Sequence, residues 1–175
     1  DGILSADTAE EVYRLCNAKL KEPEMSARGI INASNVEMIG TTDDPIDSLE
    51  WHIKLALDAS FKAKVLPSFR PDKAVNIEKP GFAEYIQALG KASGSDIKSV
   101  SDVKDALTKR LDFFCEHGCK VTDHGVDYLA FSPASDSEIE RIFSKAIQKE
   151  AVTADEADKY KTAVMLHLGR EYAKR

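Results

Sequence analysis

Apolar residues recur at helical spacing from the beginning of the first helix that the sequence predicts. Asp7 can cap a helix of about fifteen residues, with Glu10 at the capping-box position three residues on. Pro23 is expected to end this helix, and a second short helix is predicted over residues 26–33. Residues 1–34 are therefore predicted to be a helical lead-in. The apolar stripe of the first helix consists of Val12, Leu15, Cys16 and Leu20.

The spacing changes in the middle of the chain, over residues 35–130. Short apolar and β-branched runs near 36–41, 64–69 and 120–123 predict three strands, and helical patterns separate them. Strands that alternate with helices pair in parallel through right-handed crossovers. The sequence therefore predicts three parallel neighbours in chain order.

The helices between these strands have their own apolar faces. The faces predicted to be buried are, in turn, Leu49, Ile53, Leu55, Ala56 and Leu57, then Phe82, Tyr85, Ile86 and Leu89, then Val103, Leu107, Leu111 and Phe114. Residues 131–175 are predicted to be helical as well. Two capping-box pairs open their helices, Ser135 with Glu138 and Thr153 with Glu156.

Each predicted strand ends in a polar cluster. In parallel α/β folds the ligand lies at the carboxyl ends of the strands, so three such clusters predict the rim of an active site. The clusters alone do not specify a reaction. They are Thr41-Thr42-Asp43-Asp44, then Ser68, Arg70 and Asp72, then Thr122-Asp123-His124.

Composition narrows the class of protein. The 175 residues carry a net charge of −6, with acids and bases interspersed, which argues against binding to nucleic acid or to an anionic membrane. No apolar run approaches the length of a membrane span. Three sparse cysteines predict a reducing, cytoplasmic location rather than a disulfide scaffold. The first residue, Asp1, is not an initiator methionine, and we therefore expect a fragment or a trimmed chain.

Three segments resemble signatures of the uronate isomerases, a family within the amidohydrolase superfamily. They occur in the family's order and with similar spacing, and the resemblance covers essentially the whole chain. The segments are NVEMIGTTDDPIDSLE at 35–50, KVLPSFRPDK at 64–73 and HGCKVTDH at 117–124.

This resemblance implies a distorted (β/α)8 TIM barrel with accessory helices, of which this chain is expected to hold a part. It also implies isomerisation of a hexuronate, glucuronate to fructuronate and galacturonate to tagaturonate. The family carries zinc or another divalent metal on a His-x-His pair and a late Asp, and this sequence has neither feature. We therefore expect no metal site and no activity in this chain alone.

The resemblance also suggests roles for two residues. Arg70 is expected to bind the substrate carboxylate, because a guanidinium can grip a carboxylate with two hydrogen bonds. The alternative is a structural salt bridge to Asp72. Asp123 is expected to be catalytic, either as the base that moves a proton between adjacent carbons or as a group that orients another, and the alternative is a helix cap.

Supporting roles around the site are expected for His124, Thr41, Asp43, Asp44 and Asp72. For the two adjacent aspartates, the architecture of a turn is the favoured interpretation.

Several alternatives stay open at this stage. Trp51 and His52 are interpreted as packing and surface residues, and His167 as structural. Rival functions are a metal-dependent hydrolase of the same superfamily and a non-catalytic helical module. Three strands of a barrel leave two edges unpaired, so we expect either that the C-terminal helices cover the sheet or that a homo-oligomer forms through its exposed edges.

Overall fold

The computed structural model describes residues 2–175. It is mostly helical, with short parallel strands, so the predicted α/β class is confirmed. A 3-10 turn at Pro23–Met25 lies between the first two helices. The helices are α1 Ala9–Lys19, α2 Ala27–Ala33, α3 Glu50–Ala56, α4 Asp72–Val75, α5 Phe82–Ser93, α6 Val100–Glu116, α7 Asp136–Ile147 and α8 Ala154–Tyr172. The strands are β1 Met38–Gly40, β2 Lys64–Leu66, β3 Ser68–Phe69 and β4 Val121–Thr122.

The strands meet in the predicted order. β1 pairs with β2, and β3 pairs in parallel with β4, with Ser68 opposite Val121 and Phe69 opposite Thr122. A further parallel bridge joins Asp43 to Phe69. At Phe69 the run 64–69 therefore lies between Asp43 and Thr122, in the order that the sequence predicts.

The run 64–69 is not one continuous strand, however. It is divided into β2 and β3 at Pro67, a residue that has no backbone N–H to give to a ladder. Backbone pairing resumes directly afterwards, because the Asp43 amide donates to the Ser68 carbonyl at 3.0 Å.

The backbone contacts divide the chain into two compact units. The first comprises Asp1–Ile39 and Lys54–Val65, and the second comprises Gly40–Ile53 and Leu66–Arg175. The expectation of a single domain over residues 1–175 stays a prediction. Among residues 2–175, no helix is both long and apolar enough to cross a membrane.

The core of the second unit surrounds the strand that carries the site. Phe69 is fully buried, and its ring meets that of Phe114 edge to face at 5.2 Å between centroids. Such a pair adds about 1 kcal/mol beyond the area it buries. The predicted faces of α5 and α6 are buried here, as are Phe143 of α7 and Tyr160 of α8. Arg70 therefore directly follows a strand whose last residue, Phe69, is held in place by packing in the core.

Side-chain caps begin the long helices of this unit. Thr153 and Glu156 form the predicted reciprocal capping box of α8. Ser135 accepts from the Glu138 amide, as half of the predicted box requires. A third box, Ser99 with Asp102, opens α6 and was not predicted.

Two predictions for the other helices are wrong. α1 has eleven residues, and its N-cap is Thr8 rather than Asp7, with no side-chain cap bond. α1 and α3 themselves contain no buried residue, and Leu15 and Leu57 of the predicted faces are 59% and 83% exposed. Of the face predicted around α3, Leu49, which directly precedes the helix, is buried as predicted. Helical spacing identifies an apolar face, but it does not say whether another element covers it.

Candidate active site

Arg70 and Asp123 lie at the same edge of the strands. Each directly follows a strand of the parallel pair β3 and β4, and the Asp123 amide donates to the Phe69 carbonyl at 3.1 Å. Arg70 Nη1 lies 3.4 Å from Asp123 Oδ2. The prediction that both side chains open on one edge is confirmed.

Asp72 holds the other side of the guanidinium. Arg70 Nε donates to Asp72 Oδ2 at 2.7 Å, and the same carboxylate accepts from the Gly125 amide at 3.0 Å. The hydrogen bond from Arg70 to Asp72, and then the field of Asp123, raise the pKa of Arg70. The structural salt bridge considered as an alternative is thus present, but 39% of the Arg70 side chain is still exposed.

A glycine makes room for this arrangement. A Cβ on Gly125 would lie 2.5 Å from Arg70 Nη2 and 2.8 Å from Asp72 Oδ2. Both distances are shorter than van der Waals contact allows. The position after His124 therefore has to lack a side chain if the guanidinium is to stay where it is.

Asp43 is a largely buried member of the site. Its Oδ2 accepts from Thr41 Oγ1 at 2.6 Å and from the Ser68 amide at 3.2 Å. Thr41 Oγ1 in turn lies 2.7 Å from His52 Nε2. Sequence reasoning missed His52, because the contact joins a loop to a helix eleven residues later and leaves no spacing signal.

Asp44 has a structural environment. Its Oδ1 accepts from Tyr85 Oη at 2.7 Å and from the Ile46 amide at 3.1 Å, and its Oδ2 lies 3.2 Å from Lys73 Nζ. Burial, and then the charge of Asp44, raise the pKa of Tyr85, so this phenol stays protonated and donates. The favoured interpretation of this aspartate as turn architecture accords with these contacts.

His124 lies half-buried beside the edge. Its Nε2 lies 3.2 Å from Tyr172 Oη, and its Nδ1 has no hydrogen-bond partner among residues 2–175. Burial lowers the pKa of His124, and the charges of Asp72 and Asp123 oppose that shift. At neutral pH the ring is therefore uncharged, so one of its nitrogens can donate a hydrogen bond and the other can accept one.

These residues do not fit a metal ion. Within residues 2–175, no three His, Cys, Asp or Glu side chains come together as a ligand set would require. His117 lies against the Phe113 carbonyl, and His167 against Thr108. Cys119 is buried and its thiol donates to the Val121 carbonyl. No step of the chemistry is therefore assigned to a metal held by this chain.

At this edge the Arg70 guanidinium can bind an anion, and the Asp123 carboxylate lies beside it. Arg70 offers a partly exposed fork, and Asp123, 45% exposed, is an oxygen base at its side. A guanidinium of this kind suits a carboxylate, and an adjacent carboxylate suits proton transfer.

Known proteins resemble this chain over its whole length. The family profile described as glucuronate isomerase matches residues 1–175. A uronate isomerase of Lachnospira eligens is 51% identical over 175 residues, which are 100% of this chain and 37% of that protein. One from Endomicrobium trichonymphae is 49% identical over 174 residues, with 99% and 37% covered. The chain therefore spans about 37% of the length of these curated relatives.

Solved structures agree with the sequence comparison. The uronate isomerase of Thermotoga maritima superposes with a TM-score of 0.91 at 33% identity, over 99% of this chain and 38% of that one. Glucuronate isomerase from Caulobacter crescentus shares the fold, with a TM-score of 0.86 at 23% identity, over 97% and 35%. Because the family profile covers every residue and the folds coincide, the chain belongs to the glucuronate isomerase family.

Proposed function

We propose that this chain acts as part of a uronate isomerase, in which Arg70 binds the carboxylate of a hexuronate and Asp123 takes part in proton transfer. The observation that carries this proposal is the Arg70–Asp123 pair at the carboxyl ends of two parallel strands. The reactions are those of the family, glucuronate to fructuronate and galacturonate to tagaturonate.

Arg70 suits the substrate for two reasons. Its guanidinium stays charged at any physiological pH, and part of it is exposed beside Gly125. Asp72 occupies Nε and so keeps the guanidinium oriented, while Nη1 lies 3.4 Å from Asp123 Oδ2. An incoming carboxylate can then take the place of Asp123 on Nη1.

Asp123 suits proton transfer at the neighbouring carbons. Isomerisation of an aldose to a ketose passes a proton between adjacent carbons through an enediol, so the base must be able to return it. Arg70 would bind the carboxylate group of the hexuronate, at C6, and the Asp123 carboxylate next to Arg70 would then lie close to the same sugar. Whether it moves the proton itself or orients another group, its negative charge is the property that matters.

The wider assembly is part of the same proposal. We expect the complete enzyme to close a (β/α)8 barrel, to work in the cytoplasm and to form homo-oligomers. Zinc or another divalent metal would be held by ligands outside residues 1–175. It would supply polarisation of the sugar carbonyl.

The test is turnover of glucuronate and galacturonate by the complete enzyme, with the ketose products followed by NMR. Arg70→Lys keeps the charge and loses the fork, so kcat/KM is expected to fall by about 100-fold. Arg141→Lys, at a side chain that is 62% exposed, is the matched control and should keep wild-type kinetics. Hydrolysis of amides or lactones without isomerisation would favour the rival hydrolase. If the complete protein turns over no substrate of either kind, the non-catalytic module is supported instead.

A further inference from the structure

A chain of hydrogen bonds joins His52, Thr41 and Asp43 close to the strand that leads to Arg70. His52 Nε2 lies 2.7 Å from Thr41 Oγ1, which lies 2.6 Å from Asp43 Oδ2. The side chains of His52 and Asp43 are only 11% and 10% exposed. Water therefore competes little for these bonds, and each of them constrains the next.

The direction of these bonds follows from counting protons. A carboxylate can only accept, and a threonine hydroxyl has one proton to give. Thr41 therefore donates to Asp43 and accepts from the Nε2–H of His52. This arrangement fixes the tautomer of His52 and the rotamer of Thr41 together.

Asp43 grips the segment Ser68–Arg70 at three points. Its amide donates to the Ser68 carbonyl at 3.0 Å, and its carbonyl accepts from the Arg70 amide at 3.0 Å. Its side chain accepts from the Ser68 amide at 3.2 Å. These contacts enclose Phe69 from both sides, so the backbone from which the Arg70 side chain departs is set by Asp43.

We infer that His52 and Thr41 are positioning residues that hold Asp43 as a clamp on the strand end carrying Arg70. They act through Asp43 and not on the substrate. The inference rests on the proposed function, because it needs Arg70 to bind the uronate carboxylate. It predicts that loss of either side chain weakens substrate binding in the way that displacement of Arg70 does.

Two pairs of variants isolate the clamp. Thr41→Val keeps the branched shape but removes the hydroxyl, whereas Thr41→Ser keeps the hydroxyl. His52→Phe removes the donor, whereas His52→Gln can place an amide N–H near the position of Nε2. The chain also contains a matched control: Thr108 Oγ1 lies 2.9 Å from His167 Nε2, between α6 and α8. Thr108→Val breaks a bond of the same kind away from the strand ends.

The experiment measures two quantities in the complete enzyme. Amide hydrogen exchange reports on the Ser68 and Arg70 N–H groups, and steady-state kinetics give KM and kcat for glucuronate. Thr41→Val and His52→Phe should speed both amides by about tenfold, the change that follows from the loss of one hydrogen bond. KM should rise by about tenfold while kcat changes by less than about threefold. Thr41→Ser and His52→Gln should restore both quantities, and Thr108→Val should alter neither.

The outcomes distinguish failure of the clamp from failure of the proposed role of Arg70 in substrate binding. Unchanged exchange in Thr41→Val and His52→Phe overturns the clamp. Faster exchange with an unchanged KM, in an enzyme whose KM does respond to Arg70→Lys, overturns the positioning role. If Arg70→Lys itself binds and turns over glucuronate like the wild type, the proposed role of Arg70 fails and the inference falls with it.

Discussion

Arg70 Nη1 and Asp123 Oδ2 lie 3.4 Å apart although 53 positions separate the residues in sequence. The parallel pairing of β3 with β4 brings them together. The distance is longer than the 2.7–2.9 Å that is typical of a strong charge-assisted bond. With side chains 39% and 45% exposed, this contact contributes little to stability and can be exchanged for a ligand.

Asp123→Asn should separate catalysis from binding. The amide keeps the size of the side chain but loses the charge and the basicity, so kcat should fall by about 100-fold to 10,000-fold. KM should stay within about threefold, because the proposed contact of Arg70 with the substrate carboxylate is unchanged. Steady-state assays with glucuronate measure both constants, and thermal unfolding checks the fold.

The control for Asp123→Asn is Asp127→Asn, on the same exposed loop. Its kinetics should match those of the wild type. If Asp123→Asn also keeps its wild-type kcat, the side chain belongs to the architecture of the rim and not to the chemistry.

Gly125→Ala should displace the guanidinium without unfolding the protein. The new Cβ would lie 2.5 Å from Arg70 Nη2, and the far end of an arginine side chain can move away at little cost. We expect KM for uronates to rise by about tenfold and the free energy of unfolding to change by less than about 1 kcal/mol.

Gly169→Ala is the control for this substitution. It lies in α8, and a Cβ there would meet nothing within 4 Å. This variant should be slightly more stable, by about 0.5–1 kcal/mol, with unchanged KM. Equal kinetics in the two alanine variants would mean that the guanidinium does not need its present position.

The position of the site could be predicted where a general rule relates sequence to location in the fold. Parallel strands send their following residues to one edge, so Arg70 and Asp123 were expected to meet there. The role of His52 was not predictable in this way. Its partner Thr41 lies on a loop whose path only the packed structure defines.

Burial was the other point at which sequence reasoning failed. The apolar stripe of α1 and most of that of α3 are exposed, whereas those of α5 and α6 form the core. All four helices have similar amphipathic spacing, and the difference is whether another element packs on the face. The predicted strand 64–69 is divided at Pro67 because proline has no backbone N–H to donate to a neighbouring strand.

Arg110→Met should destabilise the fold strongly. Arg110 is 8% exposed, and it donates to the carbonyls of Pro45 at 2.6 Å, Asp47 at 2.8 Å and Ala92 at 3.3 Å. Burial lowers the pKa of Arg110, although the charge of Asp47 opposes that effect. Methionine fills the space but removes the three hydrogen bonds that Arg110 donates to these carbonyls, so the free energy of unfolding should fall by about 3 kcal/mol.

Urea denaturation measures this effect, with Arg141→Met as the control. The Arg141 side chain is 62% exposed, so its loss should change stability by less than about 0.5 kcal/mol. A similarly small change for Arg110→Met would show that the loop from Pro45 to Asp47 is held by other contacts.

Acidification should destabilise the fold through His124. Burial lowers the pKa of His124 from the ordinary 6.5, and the Arg70 charge acts in the same direction, against Asp72 and Asp123. Below pH 6.5 the unfolded chain therefore binds a proton that the native state does not yet accept. The free energy of unfolding then falls as the pH drops from 6.5 towards the lower native pKa, and it is unaffected by this group above 6.5.

His124→Gln isolates this contribution, because glutamine does not titrate and can still hydrogen-bond Tyr172 Oη. Urea denaturation of both proteins at several pH values between 8 and 5 gives the difference in their free energies of unfolding. Burial also lowers the pKa of His167, but that group is present in both proteins and cancels in the difference. The wild type should lose stability relative to His124→Gln only below about pH 6.5, while the difference stays constant at higher pH. A difference that is flat across the whole range would mean that His124 takes up its proton equally in both states, and so is not shielded from water at the strand edge.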